Sequence, residues 1–179
     1  MVKGKARSLI AVLLVLASSA TARGGPTEYE VKAAFLYNFA KFVEWPASAF
    51  TATNNALVVG VLGDDPFGEA LDRIAKNKSA QGRRIDVRRF RSVADVSDQC
   101  HILFVSPSLA RDLPRILQGL HGEPILTVSD IAGFLDHGGT INLVMEQRRV
   151  RFAVNLKAAN QAGLKMSSQL LKIAKAIQN

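Results

Sequence analysis

The chain has 179 residues, with 23 Lys and Arg against 15 Asp and Glu, a formal charge of +8. That length suits one domain with a core large enough to stand without disulfides or a structural metal. The single cysteine excludes an intramolecular disulfide. No helix-turn-helix, zinc or strand-aromatic pattern of a nucleic-acid binder accompanies the positive charge.

Lys3, Lys5 and Arg7 precede the apolar run Leu9 to Ala17, and Ser18, Ala20 and Ala22 fit the small-x-small rule for peptidase cleavage. Residues 1–22 are therefore expected to be an export signal, cut after Ala20 or Ala22, with residues 23–179 as the working domain. The apolar run is shorter than the roughly 20 residues of a spanning helix. Its removal takes three basic and no acidic side chains, which leaves an excess of +5.

The spacing over residues 28–44 predicts a helix stopped by Pro46, with Val31, Phe35, Phe39 and Phe42 on one stripe. Tyr29, Leu36, Tyr37, Ala40 and Trp45 add apolar surface on its flanks, which points to packing against a second surface in a dimer or a partner. Leu57 to Leu62 is continuously apolar, as an interior strand covered on both faces should be. Gly63 to Pro66 make a turn before a short helix over Phe67 to Ala75. Arg84 to Phe90 alternates and reads as a strand nearer an edge. His101 to Val105 is another interior strand, followed by a helix from Leu109 to Leu120.

Ile125 to Val128 predicts a short strand, with Ser129 or Asp130 capping a helical segment that ends near Gly138. Thr140 to Met145 and Val150 to Val154 alternate around Glu146 to Arg149, which predicts an antiparallel hairpin. Asn155 is placed to cap a short helix broken near Gly163, and a last helix carries Leu170, Leu171, Ala174 and Ile177. The fold class is α/β: a three-layer mixed sheet flanked by helices, with an antiparallel C-terminal hairpin.

Chemistry is thinly represented. Gly60-x-x-Gly63 lacks the further glycines and the Lys of a phosphate loop. Asp64-Asp65 has no later strand-end carboxylate to complete a receiver site. His101, His121 and His137 lack metal-ligand spacing. Ser106 has no nucleophile elbow, and Ser129-Asp130 would need His121 or His137 brought to it for a triad. Cys100, just ahead of a strand, is expected to be buried and inert. No catalytic, metal or cofactor site is expected. Glu44-Trp45-Pro46 reads either as a plug for the end of the core or as an aromatic anchor for a partner.

The stretches VKAAFLYNFAKFVEWP (31–46), VVGVLGDDPFG (58–68), CHILFVSPS (100–108), ILTVSD (125–130) and residues 138–174, in that order, resemble the YfiR family of bacterial periplasmic proteins. The resemblance implies a periplasmic regulator that represses an inner-membrane diguanylate cyclase by binding its periplasmic sensory domain. It also implies an outer-membrane, peptidoglycan-associated lipoprotein as sequestering partner, homodimers, and an output in cyclic-di-GMP signalling and biofilm control. Some members carry redox-sensitive disulfides, which Cys100 alone cannot form. The residues expected to contact the partner are Phe39, Phe42 and Trp45, with Arg148, Arg149 and Arg151 for charge matching. A periplasmic small-ligand module using the Trp45 region and the Gly63-Asp64 turn is the alternative.

Overall fold

The computed structural model describes residues 25–50, 55–96 and 100–179. The expected export signal, residues 1–22, lies outside the described residues. In chain order the elements are α1 (Glu28–Phe42), β1 (Val43–Glu44), β2 (Leu57–Leu62), α2 (Glu69–Asn77), β3 (Ser79–Ala80), β4 (Arg83–Phe90) and β5 (Ile102–Val105). A 3-10 segment (Pro107–Asp112) then leads into α3 (Leu113–Gly119), β6 (Leu126–Ser129), β7 (Ile141–Glu146), β8 (Arg149–Asn155), α4 (Leu156–Gln161), β9 (Lys165–Met166), α5 (Ser168–Ile173) and β10 (Ala176–Gln178).

Eight strands form one sheet in the order β10-β8-β7-β6-β5-β2-β4-β3. Its centre, β4-β2-β5-β6-β7, is parallel. The β7–β8 pair is antiparallel, with Leu143 opposite Phe152, as the alternation predicted. A second, two-stranded ribbon pairs β1 with β9. Every residue of β2, β5 and β6 is buried, the condition a parallel interior strand satisfies when helices cover both faces.

The two faces are distinct. Val59, Val61, Ile102, Phe104 and Val128 pack with α1 and α2. Leu62, Leu103 and Val105 pack with Leu113, Ile116 and Leu117 of α3. Gly60 is a packing glycine, since a Cβ there would stand 2.7 Å from the Phe90 ring and 2.9 Å from Cys100 Sγ.

Helix α1 opens on a capping box: the Glu30 N–H donates to Thr27 Oγ1 at 3.2 Å, and the Thr27 N–H donates to Glu30 Oε2 at 2.9 Å. It ends at Phe42, because Val43 and Glu44 turn extended to pair with β9. The expected apolar stripe is rotated. Leu36 and Ala40, assigned to the flank, are fully buried, whereas Val31, Phe35 and Phe42 are half-buried. The helix packs against α2 and α5 as well as the sheet, which covers Leu36 and Ala40 and leaves Tyr29 and Tyr37 half-buried.

Two other expectations fail locally. Residues 131–138 form turns instead of a helix, because Ser129 Oγ bonds the Ile131 N–H and Asn142 Nδ2 holds the carbonyls of Ser129 and Ile131. The last helix stops at Ile173, and Ile177 belongs to β10, which adds in parallel to β8. The Asn155 cap is present, accepting the Ala158 N–H at 2.9 Å.

Gly139 sits against the fully buried Phe134, where an added Cβ would lie 2.2 Å from the ring. Gly139→Ala is expected to cost about 1–3 kcal/mol of stability by overpacking. A urea midpoint equal to that of the native chain would show that Phe134 yields freely.

Candidate functional site

Polar groups have few places in a sheet covered on both faces: Ser106 and Ser129 lie at the carboxyl ends of β5 and β6, and His101, Thr127 and Thr140 lie toward the amino ends of their strands. The chain leaves β2 toward α2 on one face and leaves the adjacent β5 toward α3 on the other. Loops that diverge in this way open a crevice between them, the usual ligand position in open α/β sheets. Here it is a shallow cleft open to solvent, of about 610 Å³, lined by Gly63, Asp64, Asp65, Arg91, Ser108 and Leu109.

The crevice walls are tied together. Gly63 has a φ of +91°, and a Cβ would reach within 2.7 Å of Ser108 Oγ, so glycine is required twice over. The Asp64 N–H donates to Ser108 Oγ at 3.1 Å, and that hydroxyl donates to Ser106 Oγ at 3.1 Å. Arg89 fixes the β2–α2 turn, reaching Asp65 at 2.8 Å, Asp72 at 2.7 Å and the Gly68 carbonyl at 3.1 Å. The hydrogen bond from Arg89 holds the Asp72 carboxyl below the ordinary carboxylate range.

Beside the end of β6 lies a buried ionic cluster. Lys32, 3% exposed, pairs with Asp130 and with Glu28 at 2.5 Å. The Tyr29 hydroxyl donates to Asp130 Oδ2 at 2.9 Å, and Lys32 Nζ lies 4.4 Å from the Tyr29 ring centre. Burial works against the Lys32 charge, but the hydrogen bonds to Asp130 and Glu28 outweigh it and the ammonium pKa is raised. Burial, then the bond to Asp130, raises Tyr29 as well. Tyr29 stacks edge-on against Phe67, which stacks on Phe104, so the cluster is braced against the β2–α2 turn. Asp130 thus serves an ion pair and no triad. Ser129 Oγ donates to the Val105 carbonyl, and His121 and His137 lie exposed.

The residues expected to contact a partner separate into two groups. Phe39 has no exposed surface. It packs on Phe152 at 5.3 Å and braces β8 from behind, so the contact role expected of it does not hold. Trp45 is also interior. Its Nε1 donates to the His101 carbonyl at 3.0 Å and it closes the amino-terminal end of the sheet, as the plug reading required. His101 is stacked on Phe50, and Arg83 covers Phe50 in turn. Phe42 is half-buried under Lys41. Arg148, Arg149 and Arg151 are all exposed on the β7–β8 hairpin.

Sequence reasoning singled out Asp130 but missed its pairing with Lys32, 98 positions away with no local pattern to join them. It also missed the capping box, although Thr27-x-x-Glu30 is a legible signal. Among the described residues no group of His, Cys, Asp and Glu could hold a metal ion.

A family model described as YfiR/HmsC-like matches residues 29–175. A crystal structure of a conserved domain protein from Vibrio cholerae superposes with a TM-score of 0.58 at 11% identity, covering 85% of this chain and 60% of that one. An ABC domain from Streptococcus pneumoniae, solved with L-Trp, gives a TM-score of 0.49 at 12% identity, covering 73% of this chain and 57% of that one. The Vibrio likeness is one of fold, and this chain spans 60% of that protein's length.

Lys32→Met would leave Asp130, 10% exposed, without its cation, while Glu28, 42% exposed, keeps its water, and the expected loss is about 1–3 kcal/mol. The raised Lys32 pKa means that its contribution is whole below about pH 10.4 and is lost as pH rises through the folded value. Tyr29 has the same sign. Urea midpoints between neutral and strongly alkaline pH should therefore fall for the native chain, and fall less for Lys32→Met. Parallel curves would remove Lys32 as the cause. Burial pushes the Cys100 thiol up to about 12, so a thiol reagent at mildly alkaline pH should label Cys100 only after unfolding. Labelling of the folded chain at the unfolded rate would contradict its burial.

Proposed function

The chain belongs to the YfiR/HmsC-like family, and from that premise we propose that it is a periplasmic protein repressing an inner-membrane diguanylate cyclase by binding the cyclase's periplasmic sensory domain. Membership supports a regulatory role in cyclic-di-GMP signalling. The length of the match, residues 29–175, supports that coarser role, and the finer assignment is what the experiments below test. On this reading residues 1–22 are removed on export and residues 23–179 act through surface contacts. A homodimer and sequestration by an outer-membrane, peptidoglycan-associated lipoprotein complete the circuit.

One observation accords with regulation by contact. Three exposed arginines on one hairpin supply a surface on which a partner's charge can be matched.

The crevice favours a second reading, a small-ligand binding module, since it lies at the carboxyl ends of adjacent parallel strands. A ligand that binds the folded chain raises the thermal midpoint, so envelope fractions that do so would move weight to this reading.

Removing the gene should raise cellular cyclic-di-GMP, and restoring it should lower the level again. An unchanged level in both strains would sink the repressor reading. Crosslinked envelope should yield a membrane protein with a periplasmic domain and a cytoplasmic cyclase. The double change Arg148→Glu and Arg149→Glu should lower its recovery about ten-fold or more while leaving the urea midpoint in place. Equal recovery would remove the arginines from the contact.

A further inference from the structure

The β7–β8 ladder runs to its very tip, with Val144 opposite Arg151, Met145 opposite Val150 and Glu146 opposite Arg149. Only Gln147 and Arg148 remain for the loop, and both are left-handed, with φ of +47° and +61°. Two-residue hairpins take this form because its twist matches the strands, and Asn-Gly fills it at least cost. A long side chain in that region crowds its own backbone. Strain of this kind persists where the surroundings enforce it, and it gathers at functional positions.

What the strained tip holds out is positive charge. Arg148 stands at the apex, while Arg149 and Arg151 point to one face of the strand by alternation. All three are exposed, and among the described residues none of them forms an ion pair. Glu146, the acid of this segment, is taken by Lys175 at 2.9 Å. Among the described residues the exposed Arg91, Arg111 and Arg115 also lack an ion pair, whereas Arg73, Arg84 and Arg89 each have a carboxylate, so what sets the tip apart is three arginines within four positions on a left-handed turn. The hairpin root is rigid, since Phe152 is held between Phe35 at 5.7 Å and Phe39 at 5.3 Å.

We infer that this tip is the docking surface for an acidic segment of a protein partner, whose carboxylates the arginines grip in pairs. The inference rests on the reading that the chain acts through a protein partner. Arginine at all three positions suits carboxylate pairs, because its planar fork donates two parallel hydrogen bonds where lysine offers a point charge. A lipid surface is disfavoured by the apex itself, which carries no aromatic or large aliphatic side chain to bury among headgroups. Met145, 49% exposed, sits behind the apex on the opposite face from Arg149 and Arg151.

The test is a variant that becomes more stable as it loses function. Gln147→Asn with Arg148→Gly should raise the thermal midpoint by about 2–4 °C as the strain is relieved. The same variant should bind a fluorescent peptide of alternating Glu and Asp about ten-fold more weakly than the native chain. Native binding should weaken as salt rises. In the deletion strain the variant should leave cyclic-di-GMP high where the native gene lowers it. A lowered midpoint would overturn the strain argument, and equal peptide affinity would overturn the docking surface. Native binding to vesicles of phosphatidylglycerol and phosphatidylethanolamine that disappears in the variant would assign the tip to lipid instead. If the native gene itself leaves cyclic-di-GMP unchanged, the repressor reading fails, and the peptide affinities still decide the tip.

Discussion

A parallel sheet has to be covered on both faces, and β2, β5 and β6 satisfy that requirement with every residue buried. The rest of the architecture follows. One helix layer, α1 and α2, takes Val59, Val61, Ile102 and Phe104, and α3 takes Leu62, Leu103 and Val105. Because both faces are spent on apolar packing, polar chemistry is confined to strand ends and to the hairpin that projects beyond the helices. The crevice at the carboxyl ends and the arginine tip are the two outlets this arrangement leaves.

The Lys32 cluster joins those layers by a different kind of bond. It ties the first turns of α1 to the end of β6, across 98 positions, and Tyr29 carries the tie on to Phe67 and Phe104. A buried pair of this sort adds little net stability over an apolar replacement of both partners, yet loss of either partner alone is costly. Its effect is to fix where the amino end of α1 rests. At the other end of α1, Gln81 Nε2 donates to the carbonyls of Ala40 and Val43, which closes the helix terminus from outside.

Much of this fold is legible in the sequence because burial leaves periodic marks. The unbroken run Leu57–Leu62 gave a fully buried interior strand, the alternation on either side of Gln147 gave the expected antiparallel pair, and Asn155 marked its helix start. The failures share a cause, which is tertiary context overriding local pattern. Ile177 sits at helical spacing from Leu170 but finds a free strand edge at β8. Residues 131–138 are held as turns by Asn142 from the next strand. Phe39 and Trp45 looked available because a sequence does not say how many neighbours surround a helix. The arginines were visible as a cluster, but the left-handed backbone beneath them was not, since neither Gln nor Arg signals it.

The central place of β2 also has a kinetic consequence. Its two neighbours, β4 and β5, begin 26 and 45 residues after it starts, at Arg83 and Ile102 against Leu57. Neither pairing can be made by a tight turn, so each requires a long loop to close before any ladder bond rewards it. Until then Leu57–Leu62 is an apolar strand with both edges bare, the kind of segment that self-associates. The hairpin at Ile141–Asn155 has no such delay, since its strands are joined by two residues. The chain therefore carries a quick local unit near one end and a slow, association-prone strand near the other. Its yield on refolding should depend on how dilute the second is kept while it waits for its partners.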